Sequence, residues 1–213
     1  MSEAPPPPKF VYLYSNPLIH GDEENFTAAL DLSGEIAAIH RALTDSGKRV
    51  EWMRSRAVKD RLCDVTTLGC TLVHWAGHGH ANALVAEDEW GRLNQLPPSI
   101  LQKMCRPGGV RVAIITSCFS EYAGRAFVNA GVPHVVAIRG SAQVSGYACQ
   151  KFTYGFYLAL LCGHTVSEAF DIGKAKVGWS VGAHLGECLA VVVVGIANCH
   201  WHKIRSTRWG WRG

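Results

Sequence analysis

An α/β fold with a mostly parallel central sheet of about six strands, covered by helices on both faces, is what this sequence predicts, on three observations. Short apolar runs alternate with helical patterns along most of the chain, the arrangement that builds a parallel sheet buried on both sides. Of the 213 residues, 48% are hydrophobic and 18% charged, enough apolar surface for a sizeable core without disulfide or metal staples. Two of the apolar runs end abruptly in reactive side chains, Leu72–Trp75 leading to His78 and Ala113–Thr116 leading to Cys118. In open α/β sheets, ligands and catalytic groups gather at the carboxyl ends of the strands.

Pro5 to Pro8 read as a short extended polyproline segment, so residues 1–9 form a leader. Phe10–Tyr14 is the first strand, stopped by Ser15-Asn-Pro17. Asp31–Asp45 predicts a helix, because Leu32, Ile36, Ile39 and Leu43 recur at three- and four-residue spacing and Gly47 follows as a stop. Arg49–Met53 is a second strand, residues 57–69 a less regular helix, and Thr71–Trp75 a third strand. The stretch 81–109 is mixed: Ala83–Val85 suits a short strand or hairpin arm, and Pro98–Cys105 a helix opened by proline. Val110–Thr116 is the fourth strand, Ala123–Asn129 a helix, Val135–Ile138 the fifth strand, and Ala148–Leu161 a long apolar helix. Thr165–Lys176 is a further helix with Thr165 and Glu168 spaced as a capping box. Leu189–Ile196 reads as a last buried strand.

Charge places the basic excess at one end. The formal net charge is +4, and Lys203, Arg205, Arg208 and Arg212 lie in residues 199–213, which hold no acid. The first 198 residues are therefore neutral in formal charge, and nucleic-acid binding rests on the Trp- and Arg-rich tail alone. Eight cysteines are spread along the chain with no C-x-x-C pair, which argues against a disulfide scaffold or a zinc ribbon and for a reducing compartment. Residues 1–9 lack the apolar core of a signal peptide. The apolar stretch Leu189–Ala197 has nine residues, against the roughly 20 of a membrane helix. The expectation is a cytoplasmic protein with no membrane span.

The chemistry centres on His78 and Cys118. Parallel strands lie roughly 4.8 Å apart, so an imidazole and a thiol just past the ends of neighbouring strands can meet. The intervening segment, about residues 76–109, is long enough for a right-handed crossover. A thiol beside an imidazole is the minimal apparatus of a cysteine nucleophile, and the Gly79 and Cys118 backbone N–H groups can face a developing oxyanion. Against this stands the plain reading of Cys118 as one more core cysteine. His74, His78 and His80 raise a second possibility, a metal site for a metal-dependent hydrolase. No Asp or Glu lies within six residues of His80; the plain alternatives are a core histidine at His74 and a loop histidine at His80. Gly77-His-Gly79 lacks the third glycine of a dinucleotide fingerprint, and Ser120 is not framed as a nucleophile elbow. The expectation is therefore no cofactor and no bound metal.

Taken in order, several segments resemble the CHAT domain, a caspase-like module often associated with tetratricopeptide repeats. They are Tyr14-Ser-Asn-Pro17, Glu35-Ile36, Val73–Gly79, Ile115-Thr-Ser-Cys118, Phe127–Ala137, Phe152–Tyr157, Gly163 and Ala169–Ala175. The resemblance covers residues 10–180 best, within a single domain over 10–198. It implies a three-layer α/β/α caspase-like fold and a cysteine peptidase acting on a peptide or protein substrate. On this chain that makes His78 the general acid/base, Cys118 the nucleophile, and the Gly79 and Cys118 N–H groups the oxyanion donors. A regulatory partner such as a repeat domain is a further implication. Two departures stand out: Ser145 replaces an aspartate common in such domains, and Thr116 is not the acid that metacaspases place two residues before the cysteine. A catalytically inactive scaffold that keeps the fold is the competing reading.

Overall fold

The computed structural model describes residues 9–17, 29–80, 83–105, 109–138, 144–181 and 191–193. Its centre is a six-stranded sheet in the order β2-β1-β3-β7-β8-β9. The strands are β1 (Lys9–Ser15), β2 (Glu51–Arg56), β3 (Leu72–Gly77), β7 (Val112–Ile115), β8 (His134–Ile138) and β9 (Val191–Val193). The first five are mutually parallel and β9 runs antiparallel to β8. A second sheet, β4 (Gly79–His80), β5 (Ala83–Glu87) and β6 (Leu93–Leu96), is antiparallel.

Side-chain alternation along the strands sorts the core into two clusters. Val11, Leu13, Val73, Trp75, Ala113 and Ile115 face one way, against α2 (Lys59–Thr67), α3 (Pro98–Cys105) and α4 (Glu121–Asn129). Phe10, Tyr12, Leu72, Val112, Ile114 and Val136 face the other way, against α1 (Ser33–Ser46), α5 (Gly146–Leu161) and α6 (Val166–Val181). The result is the predicted α/β architecture with helices on both sides of a mostly parallel sheet. Among the described residues no helix is long and apolar enough to cross a membrane.

Local signals account for most element ends. Gly47 closes α1 at φ 62° and its N–H donates to the Thr44 carbonyl, the left-handed stop that glycine supplies. Thr165 Oγ1 accepts from the Glu168 N–H at 3.2 Å and Glu168 Oε2 accepts from the Thr165 N–H at 2.8 Å, completing the capping box that starts α6. Ser145 Oγ accepts from the Ala148 N–H at 3.2 Å, so this departure from the CHAT pattern serves as the N-cap of α5.

Several boundaries differ from expectation. Strand β2 lies at Glu51–Arg56 where Arg49–Met53 was expected. It is the outer strand of the sheet, and its polar end is held by pairing with β1 through Arg56 and by an ion pair to Glu87. Lys9, assigned to the leader, already pairs with Glu51 in β1. The mixed stretch resolves into β5, a turn, β6 and α3, with the turn tied by Asp88, whose carboxylate accepts from the Trp90 and Arg92 N–H groups. The expected last strand appears as Val191–Val193. The remainder of the expected leader and the basic tail, 199–213, lie outside the described residues.

Candidate functional site

Strands β3 and β7 are direct neighbours, with Leu72 opposite Val112 and Trp75 opposite Ile115. His78 and Cys118 therefore leave the sheet from the same edge, at the carboxyl ends of adjacent parallel strands. Both are half-buried. The segments that follow them touch: a Cβ placed on Gly79 would lie 1.7 Å from the Cys118 carbonyl oxygen and 3.2 Å from its amide nitrogen. Only a residue without a side chain lets the two backbones approach this closely. Gly77, at the end of β3, allows a similar approach to neighbouring β1, where an added Cβ would lie 2.8 Å from the Ser15 carbonyl oxygen.

The loop that carries Cys118 is sharply bent. Phe119 has φ 56°, a left-handed conformation that among the described residues no other non-glycine shares. Such backbone costs of order 1–3 kcal/mol and persists only where its surroundings dictate it. Here the surroundings are visible. Ser120 is fully buried, and its hydroxyl donates to the Ile115 carbonyl at 3.2 Å while accepting from the Ile138 N–H at 3.0 Å. One side chain thus ties the Cys118 loop to β7 on one side and β8 on the other.

Beneath the rim, on the α1 and α5 side, lies a buried polar cluster around Glu35. Glu35 is 5% exposed. His74 Nε2 lies 3.2 Å from its Oε1, and Thr153 Oγ1 donates to the same oxygen at 3.0 Å. The Tyr157 hydroxyl sits 2.8 Å from His74 Nδ1. Burial by itself pushes the Glu35 carboxyl up, but His74 and the hydrogen bonds from His74, Thr153 and Thr116 outweigh it and leave the group below its ordinary value. Tyr157 stays protonated, its hydroxyl raised by burial and then by the Glu35 charge. Burial also raises the Cys149 thiol, reinforced by Glu35 and by Cys118. Cys149 and Thr116 line one small cavity between β7, β8 and α5.

The structure thus brings Gly79 against Cys118 and sets His78 at the adjoining strand end. His74 is committed to partners within the core rather than to a metal. Both His74 nitrogens face protein partners, and among the described residues no group of three or more His, Cys, Asp or Glu side chains is placed to hold a metal ion. The side chain of His80 lies outside the described residues. Glu35 and Thr153 enter the sequence reading only within segments that carry the family resemblance, with no role of their own, and Ser120 only as a serine outside a nucleophile elbow. The further signal for Glu35 is its place on the apolar side of a predicted helix.

The chain matches no family model and no curated protein. Its structure is similar to that of the Arg-specific cysteine proteinase gingipain R, with a TM-score of 0.59 at 12% identity over 84% of this chain. The match takes in 44% of the gingipain chain, so the present chain spans less than half of that protein. A pyridoxal kinase from Staphylococcus aureus, in complex with ADP, matches at a TM-score of 0.37 and 11% identity over 91% of this chain and 95% of the other. A ribokinase from Thermotoga maritima matches at 0.33 and 9% identity, over 92% and 97% of the two chains. These last two scores are too low to indicate a shared fold. The class of protein defined here is an α/β fold with a mostly parallel sheet and helices on both faces, and gingipain R is similar in that fold.

Proposed function

We propose that this chain is a caspase-like cysteine peptidase of the CHAT type, which hydrolyses peptide bonds with Cys118 as nucleophile and His78 as general acid/base. The observation that carries the reading is the contact of Gly79 with the Cys118 backbone at the shared rim of β3 and β7. It brings the residue after the imidazole against the residue that bears the sulfur. The strained Phe119 and the Ser120 ties hold that sulfur's loop in one shape, as a preorganised site requires.

The chemistry then follows from the groups present. His78 takes the thiol proton as Cys118 Sγ attacks the scissile carbonyl carbon, and the carbonyl electron pair moves onto oxygen. The Gly79 and Cys118 N–H groups face that oxygen; donors of this kind contribute about 2.7–4 kcal/mol in the transition state. Collapse breaks the C–N bond, His78 protonates the departing amine, and a thioester remains on Cys118. Water, deprotonated by His78, attacks the thioester, releases the carboxylate product and restores the thiol.

Thr116 stands two residues before Cys118 and its hydroxyl is turned to Glu35 and His74. The Arg specificity named for gingipain R is therefore not carried over. The test is labelling of the full chain with a panel of peptidyl acyloxymethyl ketones of varied sequence, read by mass spectrometry of tryptic peptides. The adduct is expected on Cys118 alone, absent from Cys118→Ala and reduced about 10²-fold or more in His78→Ala. An adduct that persists in Cys118→Ala removes this assignment.

A further inference from the structure

Five elements converge on one buried carboxylate beneath the rim. Glu35 comes from α1, Tyr12 from β1, His74 from β3, Thr116 from the end of β7, and Thr153 and Tyr157 from α5. Glu35 Oε1 takes Thr153 at 3.0 Å and His74 Nε2 at 3.2 Å, while Oε2 faces the Tyr12 and Thr116 hydroxyls, each at 3.4 Å, the single Thr116 proton being shared with the Trp75 carbonyl at 3.2 Å. These four contacts occupy the roughly four acceptor sites that a carboxylate offers.

A buried charge of this kind is an uneconomical way to stabilise a core. Replacing a buried ion pair by packed apolar residues is often neutral or stabilising by about 1–4 kcal/mol. What the cluster supplies instead is geometry. His74 stands four residues before His78 on β3, and Thr116 two residues before Cys118, just past the end of β7. The paired register of β3 and β7 ends at Trp75 and Ile115. Beyond it, the Thr116 N–H donates to the Trp75 carbonyl at 2.9 Å, and Thr116 Oγ1 lies 3.2 Å from His74 Nε2. The side chains therefore extend the cross-strand tie one step further, to the point where both chains leave the sheet.

We propose that Glu35 is a positioning residue for the reaction: through His74 and Thr116 it fixes the ends of β3 and β7, and so the separation of the His78 ring and the Cys118 sulfur. The proposal rests on the assignment of those two groups made above. The Cys118 loop is then held from both faces of the sheet. Ser120 ties it to β8 from beyond the cysteine, and the Glu35 cluster ties Thr116 from before it. Neither Glu35 nor Thr116 touches substrate in this scheme; both act through the dyad. A misplacement of about 1 Å at reacting groups is worth about 10²-fold in rate, so a loose Thr116 is costly.

The experiment measures the second-order rate of Cys118 alkylation by iodoacetamide on the full chain, between pH 5 and pH 9. Glu35→Gln puts an amide donor among groups that already donate to the carboxylate, and its fold is checked by circular dichroism. Thr116→Val removes one hydroxyl at constant shape, and Thr116→Ser restores it. Thr116→Val is expected to slow alkylation at pH 7 by about tenfold or more, while Thr116→Ser stays within about twofold of wild type. Because the effect passes through the dyad, Thr116→Val is expected to change nothing further in a His78→Ala background. A folded Thr116→Val protein that alkylates at the wild-type rate overturns the proposal. So does an effect of equal size in the His78→Ala background, which marks a general loosening of the core. If His78→Ala alone leaves the rate unchanged, the dyad itself is wrong, and the positioning role falls with it.

Discussion

Two glycines show how much depends on a single methyl group. At Gly79 an added Cβ would sit 1.7 Å from the Cys118 carbonyl oxygen, a backbone atom that cannot swing aside. Gly79→Ala therefore has to push the cysteine loop away from β4. Overpacking of this kind costs typically about 1–3 kcal/mol, and the displaced loop is the one that carries the nucleophile. Urea unfolding is expected to show a loss at the upper end of that range, with Cys118 labelling lost even where the protein remains folded. Gly146 is the contrast. It is exposed at the start of α5, with nothing within 4 Å of its missing Cβ. Gly146→Ala is expected to raise stability by about 0.4–1 kcal/mol through the entropy of the unfolded chain. A Gly79→Ala protein as stable and as reactive as wild type contradicts the close approach on which the site is built.

Among the elements, the Cys118 turn depends most on one side chain. Ser120→Ala strips the Ile115 carbonyl and the Ile138 N–H of a buried partner. Leaving such groups unsatisfied costs about 1–3 kcal/mol each, so a drop of at least 1 kcal/mol in urea unfolding is expected. Ser120 carries no nucleophile-elbow pattern in the sequence, and its role as a tie is tertiary, visible only once β8 lies beside β7. Periodicity, by contrast, located α1, α3, α5 and the strands β1, β3, β7 and β8 within a few residues. It succeeded there because both faces of those strands are buried, which leaves continuous apolar runs. It placed β2 too early because the outer strand ends in Arg54-Ser-Arg56, whose place comes from pairing with β1 and not from apolar pattern. It passed over β6, where Asn94 and Gln95 interrupt a four-residue run. In α1 the apolar stripe through Leu32, Ile36, Ile39 and Leu43 identified the helix, yet the side chains buried deepest are Glu35, Ile39 and Ala42. An acid one turn before Ile39 on the same side was the available signal of a buried charge, and a count of apolar residues is blind to it.

At the scale of the whole molecule, the sheet separates two cores of different character. The α2–α4 side packs Trp75 among Val, Leu, Ile and Ala side chains, and its buried polar group at the start of α4 is the uncharged Ser120. The α1–α5 side embeds Glu35 and His74 among aromatic rings, Tyr12 with its centroid 5.1 Å and Tyr157 5.8 Å from the imidazole. Stability on that side is therefore tied to protonation. The groups facing Glu35 are Tyr12 from β1, His74 from β3, Thr116 beyond β7, and Cys149, Thr153 and Tyr157 from α5. Tyr12, Tyr157 and Cys149 are all pushed up by burial and by the Glu35 charge, so they keep their protons through the acid range. The folded carboxyl titrates below its ordinary value of 4.5. The unfolded chain therefore binds this proton first as the pH drops. The stabilisation from Glu35 is whole above that value and is lost as the pH falls through the folded pKa. Exposed carboxylates such as Asp31 add their own acid dependence, and comparison with Glu35→Gln subtracts it. Urea midpoints of the two proteins are expected to run parallel from pH 7 down to about pH 5 and to converge below it, as wild type alone loses the Glu35 contribution. Midpoints that stay parallel down to pH 3 would mean that the Glu35 carboxyl titrates alike in the folded and unfolded chains. A wild type that instead gains on Glu35→Gln as the pH falls from 7 towards 4.5 would mean that Glu35 is already protonated in the folded protein. In that case the carboxylate that ties β3 to β7 is not present as a charge, and the tie holds no more tightly than an ordinary hydrogen bond.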